Sequence, residues 1–216
     1  MIGIEHIYEF LHNFTKTISV LTVIFMATCN SVNGQSETRK QPEKDFVKEY
    51  CSCLETYSQK EPEQLLYSAT VNCINSFFRN KTKEAEQIVK EKEYDSALSD
   101  YEKGKNLGKE IVFNVIEDLI ENCELYRKSL IEYKLIIAGQ LNISNNSIEN
   151  IISELRAKEN NITDKKELGT FFTILGIIYE FANNKEEALN SYNKALDHDL
   201  STQAKGLRLL LKMGNN

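Results

Sequence analysis

Hydrophobic positions recur at helical spacing along most of this chain. The clearest stripe leads to Cys123 and consists of Ile111, Val112, Val115, Ile116, Leu119 and Ile120. The same spacing predicts helices over 45–58, 63–78, 125–141, 147–158, 165–182, 185–197 and 202–213. Alternating runs rich in Val and Thr, which would indicate strands, are missing from the sequence. The pattern therefore predicts an all-α protein.

Turn-forming residues divide the predicted helices into two groups. The polar run 142–146 interrupts the periodicity after the stripe and its following helix. We place a domain boundary there, with a cysteine-containing helical domain over 44–141 and a second helical domain over 147–216. Pro62 suits the first turn of the helix over 63–78, so 45–58 and 63–78 are predicted to fold back on each other.

The segment 169–202 carries small and large residues at regular offsets. Phe172, Leu175 and Tyr179 share one helix face, and Gly176 beside them leaves bare backbone that the next helix can approach. Asn183 and Asn184 tolerate left-handed geometry, so a short loop joins the two helices. The packing positions as a set are Phe172, Leu175, Gly176, Tyr179, Ala188, Tyr192 and Ala195.

These positions resemble the tetratricopeptide (TPR) repeat, with Leu200 standing where that family has proline. The resemblance implies a TPR-like helical hairpin whose surface holds a protein or peptide. A single repeat needs covering helices, and 202–213 is predicted to be a C-terminal capping helix. A weak echo of the pattern occurs at 97–104. The candidate partner-binding residues, expected on the open face of the first hairpin helix, are Thr170, Thr173, Ile177 and Glu180.

Composition narrows the function further. The formal net charge of −6 argues against a nucleic-acid surface, which needs clustered Lys and Arg. The chain has no glycine-rich phosphate loop and no HExxH or GxSxG motif, so we expect no enzyme activity, no metal and no cofactor.

The N-terminus looks like a targeting segment. An apolar stretch over 17–27 has the length of a signal-peptide core, and small residues at 32 and 34 favour cleavage before Gln35. We therefore predict a signal peptide over 1–34, a flexible linker over 35–43 and a periplasmic or secreted protein. A competing hypothesis is a lipoprotein lipidated at Cys29, which alone would bring the chain to a membrane; an uncleaved anchor is a third.

Four cysteines remain after residue 34. An even number in an exported chain favours disulfides. Folding 45–58 against 63–78 around residue 61 places Cys73 near Cys51, so the sequence predicts the pairs Cys51–Cys73 and Cys53–Cys123. A redox dithiol formed by Cys51 and Cys53 is the functional alternative, although flanking Glu49 and Glu55 disfavour a thiolate.

The leading hypothesis is an exported TPR-containing module that binds a protein or peptide. The alternatives are a thiol-disulfide protein using Cys51 and Cys53, and an envelope lipoprotein with a structural role. Sequons begin at Asn80, Asn142, Asn145 and Asn161, and they matter only where the producing cell glycosylates exported proteins.

Overall fold

The computed structural model describes residues 40–61, 65–80, 100–143 and 146–214. This part of the chain forms helices and no strands, so the prediction of an all-α fold is confirmed. The helices are α1 (Lys40–Lys60), α2 (Leu66–Asn80), α3 (Asp100–Asn122), α4 (Glu124–Gln140), α5 (Ile148–Glu159), α6 (Lys165–Phe181), α7 (Lys185–His198) and α8 (Thr202–Met213).

The chain divides into two compact units, and the division falls within α4 between Ser129 and Leu130. The predicted boundary at the turn residues 142–146 is therefore misplaced. The physical reason is that Leu130, Tyr133 and Ile137 are buried, so the C-terminal half of α4 belongs to the core of the unit that contains α5 to α8, although it precedes the turn residues. A polar loop marks the end of a helix and does not have to mark the edge of a core.

The unit that ends at Ser129 is built around α1, which packs against both α2 and α3. Phe46 lies edge-on to Phe77 with ring centroids 4.8 Å apart, and it stacks on Tyr50 at 5.4 Å. Edge-to-face and offset rings are the favoured arrangements of aromatic pairs. Ile116 and Leu119 of the predicted stripe are fully buried, so this stripe is the core-facing side of α3.

The disulfide pairing differs from the prediction. The structure joins Cys51 to Cys123 and Cys53 to Cys73, with Cα atoms 5.8 and 5.7 Å apart. The interval between the end of α1 and the start of α2 is centred on residue 63, which is equally far from Cys53 and Cys73. The prediction used a centre near residue 61 and therefore chose Cys51, which points to another side of α1 because consecutive helix positions rotate by about 100°.

The second unit comprises, among the described residues, the end of α4 and helices α5 to α8. Helices α6 and α7 form an antiparallel hairpin, with α5 against α6 and α8 against α7. The predicted bounds of both hairpin helices agree with the structure to within one residue, and α8 has the predicted bounds. Ala204, Leu207, Leu210 and Leu211 are the buried apolar face of α8.

The ends of the hairpin helices follow from local chemistry. Asn183 adopts a left-handed backbone with φ of 57°, as its amide side chain allows. Asn184 is the N-cap of α7 and accepts a hydrogen bond from the Glu187 N–H at 3.2 Å. Asp164 caps α6 in the same way through the Glu167 N–H at 2.9 Å. The short connection of the hairpin is therefore specified by two consecutive asparagines.

Several predictions concern residues outside the described ranges. These are the signal peptide over 1–34, lipidation at Cys29, and the side chains of the repeat echo at 97–104. The linker predicted over 35–43 is wrong at its C-terminal end, because α1 already begins at Lys40.

Candidate interaction site

The helical hairpin is held together by an unusually close approach at Gly176. A Cβ atom placed on Gly176 would lie 2.5 Å from Cε1 and 2.7 Å from Cδ1 of Tyr192. The Tyr192 side chain is fully buried against this bare backbone, and Ala188 and Ala195 on the same helix are fully buried too. Small residues therefore set the distance between α6 and α7, as the sequence pattern indicated.

A second close approach lies nearer the N-terminus of α6. A Cβ on Gly169 would meet the Asp199 Cβ at 3.1 Å and the Ala195 carbonyl oxygen at 3.3 Å. This glycine was not among the packing residues that the sequence singled out. Its signal is its spacing, because Gly169 precedes Gly176 by two helical turns and lies on the same face.

Three polar side chains form a buried clasp that links α4, α6 and α7, and we refer to Lys134, Glu180 and Tyr192 by this name. The Lys134 ammonium lies 2.7 Å from Glu180 Oε2, and the two side chains are 11% and 8% exposed. The Tyr192 hydroxyl donates a hydrogen bond to the other oxygen of Glu180. Burial, followed by the Glu180 charge, raises the pKa of Tyr192 well above its ordinary value.

The clasp satisfies polar groups that would otherwise be costly in the interior. A buried carboxylate without a cation is strongly unfavourable, and a paired one that also accepts a hydrogen bond is tolerated. Sequence reasoning found Glu180 as a candidate contact residue but did not connect it with Lys134. The two are far apart in the chain, and helical periodicity carries no information on which distant helices meet.

A second polar contact joins α5 to α6. The Arg156 guanidinium of α5 lies 3.0 Å from Glu159 and donates to the Tyr179 hydroxyl at 3.4 Å. The Tyr179 contact raises the pKa of Arg156, so the guanidinium remains charged. Tyr179 is therefore a half-buried packing residue whose hydroxyl is used by a neighbouring helix.

The structure places most of the candidate partner-binding residues inside the unit. Thr173 and Ile177 are 2% and 0% exposed, and Thr173 donates to the Gly169 carbonyl oxygen at 2.7 Å. Glu180 is occupied by the clasp, and half-buried Thr170 donates to the Lys166 carbonyl oxygen at 3.0 Å. The expectation that these residues form an exposed contact surface is wrong, because α4 and α5 contact the face of α6 that an isolated hairpin would leave open.

Helix α7, in contrast, keeps one continuous exposed side. Four polar residues on it are exposed and follow one another at helical spacing; we call Glu186, Asn190, Asn193 and Asp197 the α7 stripe. Leu189 and Leu196 flank it and are half-buried. Asn193 Oδ1 accepts a hydrogen bond from Arg208 of α8 at 2.9 Å, which steadies one member of the stripe. The helical spacing of these four polar residues is visible in the sequence, but the TPR resemblance led to the prediction of contact residues on α6.

The cysteines were the alternative candidate site. Cys51 is bonded to Cys123 and Cys53 to Cys73, so Cys51 and Cys53 do not form a pair with each other. Cys73 and Cys123 are buried, with 1% and 4% exposure. This arrangement fixes α1 to α2 and to the residue between α3 and α4, which is what structural disulfides do.

His198 lies at the end of α7 and stacks on Phe172 with ring centroids 5.6 Å apart. The Lys194 ammonium also lies over the Phe172 ring, 5.3 Å from its centroid. In the described ranges, no group of three or more His, Cys, Asp or Glu residues has the arrangement of a metal site. The histidine therefore has a packing role at the base of the hairpin.

Comparisons with known proteins found no relative of this chain. A scan against models of protein families, a search of curated proteins and a search of solved structures each gave no match. Within residues that the structure describes, no helix combines the length and apolar character needed to cross a bilayer.

Proposed function

We propose that this chain is an exported helical module of TPR-like build that binds a protein or peptide, and that the partner contacts the α7 stripe. The observation that carries the proposal is the contrast between the hairpin helices. Helix α6 is buried from Phe171 to Ile178, whereas α7 keeps an unbroken exposed side. This exposed side of α7 supports the proposal because it is accessible to a partner.

The chemistry of the stripe suits polypeptide recognition. Amides supply both donors and acceptors, carboxylates accept from backbone N–H and cationic side chains, and the flanking leucines offer apolar area. Glu186 and Asp197 give both ends of the stripe negative charge, which favours a partner segment with Lys or Arg residues. The buried groups Lys134, Glu180 and Tyr192 are engaged with one another in the clasp.

Site-specific photo-cross-linking tests the proposal. A photoreactive amino acid replaces Asn190 in one variant and exposed Asn114 of α3 in a matched control, in the cells that naturally make the protein. We expect a discrete cross-linked partner from position 190 and none from position 114. Equal cross-linking at both positions, or none at position 190, contradicts the proposed surface.

A charge-reversal pair makes the test quantitative. Glu186→Lys with Asp197→Lys changes the stripe, and Asp118→Lys with Glu121→Lys makes the same change in net charge on exposed positions of α3. The stripe variant should weaken binding of the cross-linked partner by about tenfold to a hundredfold, since rim and contact charges contribute about 1–3 kcal/mol in such interfaces. The α3 variant should bind as the unaltered chain does.

A further inference from the structure

We propose that Asn161, in the turn between α5 and α6, is an acceptor for an N-linked glycan. The inference rests on the export that is part of the proposed function, taken as secretion from a cell that glycosylates exported proteins, and it assigns a modification that binding by α7 does not require. Asn161, Ile162 and Thr163 form the sequon Asn-Ile-Thr, whose hydroxyl residue two positions later is what the transfer reaction recognises.

The local backbone presents this sequon to solvent. The Asn161 N–H donates to the Lys158 carbonyl oxygen at 3.0 Å, and the Ile162 N–H donates to the Glu159 carbonyl oxygen at 3.2 Å. These two bonds close a turn after the last residue of α5. The Asp164 side chain caps α6 immediately afterwards, so the tripeptide lies between two fixed helix ends.

Ile162 is buried between two exposed residues. It is 8% exposed, whereas Asn161 and Thr163 are both exposed. Exposure of both residues leaves the acceptor amide and the hydroxyl accessible from solvent, while Ile162 fixes the turn to the core.

The other sequons are less suitable or lie partly outside the described residues. Asn142 is half-buried, has a left-handed backbone with φ of 51°, and its sequon continues into residue 144, beyond the described range. Asn80 is the last residue of α2, and residue 145 is not described. Asn161 is the sequon for which both the acceptor and the hydroxyl residue are described and exposed.

The chemistry is a group transfer from a lipid-diphosphate-linked oligosaccharide. The Asn161 amide nitrogen forms a bond to the anomeric carbon of the first sugar, and the bond between that carbon and the phosphate oxygen breaks. The amide nitrogen loses one proton, and the lipid diphosphate leaves. Asn190 and Asn193 of the α7 stripe have no Ser or Thr two positions later, so the same transfer leaves both unmodified.

The first test uses the protein purified from the cells that naturally make it. Enzymatic removal of N-glycans in heavy-oxygen water labels each former acceptor as aspartate, and peptide mass spectrometry locates the label and the mature N-terminus. Label at residue 161 supports the inference. An unlabelled Asn161 on a chain that begins at Gln35 overturns the inference and leaves export standing; an unlabelled Asn161 on an uncleaved chain contradicts both.

Variants in a eukaryotic secretory host test the acceptor itself, with a known leader fused before residue 35 so that entry into the secretory pathway is assured. Asn161→Gln and Thr163→Ala should remove the glycopeptide, and Thr163→Ser should retain it. Asn160→Gln is the matched control, because Asn160 is exposed and adjacent but begins no sequon. A secreted chain with bare Asn161, or equal glycan loss in the Asn160 control, overturns the proposal.

Discussion

The Tyr192 ring lies directly on the backbone of Gly176, so closely that a single added methyl group would come within 2.5 Å of the ring. The contact joins the two helices of the hairpin in its buried interior. It explains why the sequence has glycine in the middle of α6, where glycine is otherwise unfavourable to a helix. The space for the ring exists because the side chain at position 176 is absent.

Gly176→Ala should therefore destabilise the second unit. Overpacking costs about 1–3 kcal/mol, and the gain in helix propensity offsets only part of this. Gly139→Ala is the matched control, because Gly139 is a helical glycine of the same unit with nothing within 4 Å of an added Cβ. It should stabilise by about 0.5–1 kcal/mol. Urea unfolding of both variants measures the difference, and equal effects would contradict the close packing at Gly176.

Removing only the cation of the clasp should lower the free energy of unfolding more than removing the cation and the carboxylate together. Lys134→Met leaves Glu180 buried without a cation, which we expect to cost about 3–5 kcal/mol. Adding Glu180→Gln to that variant should recover part of the loss, because the amide oxygen can still accept from Tyr192 and no net charge remains inside. The free energies of unfolding of the two single variants and the double variant form a complete cycle. Strictly additive losses would show that the pair is not coupled.

Buried tyrosines should make the protein sensitive to alkali. The pKa of Tyr192 in the folded chain is raised by burial and by Glu180, so the folded state keeps its proton at pH values where the unfolded state loses it. The stability that Tyr192 contributes is present below pH of about 10 and declines above it, by at most about 1.4 kcal/mol per pH unit. The free energy of unfolding, measured between pH 8 and pH 11, should decline less steeply with pH in Tyr192→Phe than in the unaltered protein.

Tyr126 provides an independent check in the first unit. Burial also raises the pKa of Tyr126, with a smaller contribution from Tyr67. Tyr126→Phe should flatten the alkaline decline of that unit as Tyr192→Phe does in the other. A decline of unchanged steepness in both variants would mean that other groups control the alkaline loss of stability.

The disulfide pairing is open to direct measurement. Digestion of the unreduced protein at acid pH should release one linked peptide with Cys51 and Cys123 and another with Cys53 and Cys73. Linked peptides with Cys51 and Cys73 would instead restore the pairing expected from sequence.

Removing each bridge should have a different cost. The bridges span 72 and 20 residues. Loop-closure entropy then predicts losses of about 4 kcal/mol for the paired variant Cys51→Ser with Cys123→Ser and about 3 kcal/mol for Cys53→Ser with Cys73→Ser. Thermal or urea unfolding under non-reducing conditions compares them, and a larger loss in the shorter bridge would contradict the entropic account.

Most of the helices could be predicted from the sequence because their information is local. Periodicity indicated α5 to α8 almost to the residue, and the asparagine pair indicated the hairpin turn. The same local information failed at the interaction surface. Thr173 and Ile177 look available on an isolated hairpin, and only the helices that pack against α6 show that they are buried.

The sequence by itself determined the all-α class, the hairpin with its small packing residues, the capping helix and the presence of four cysteines for bridging. Each of these follows from residue type and short-range spacing. Only the tertiary structure decided which cysteines pair, where the two units divide, and that Lys134 meets Glu180. These depend on the exact register of one helix against another, where a shift of one residue rotates a side chain by about 100° and exchanges one partner for the next.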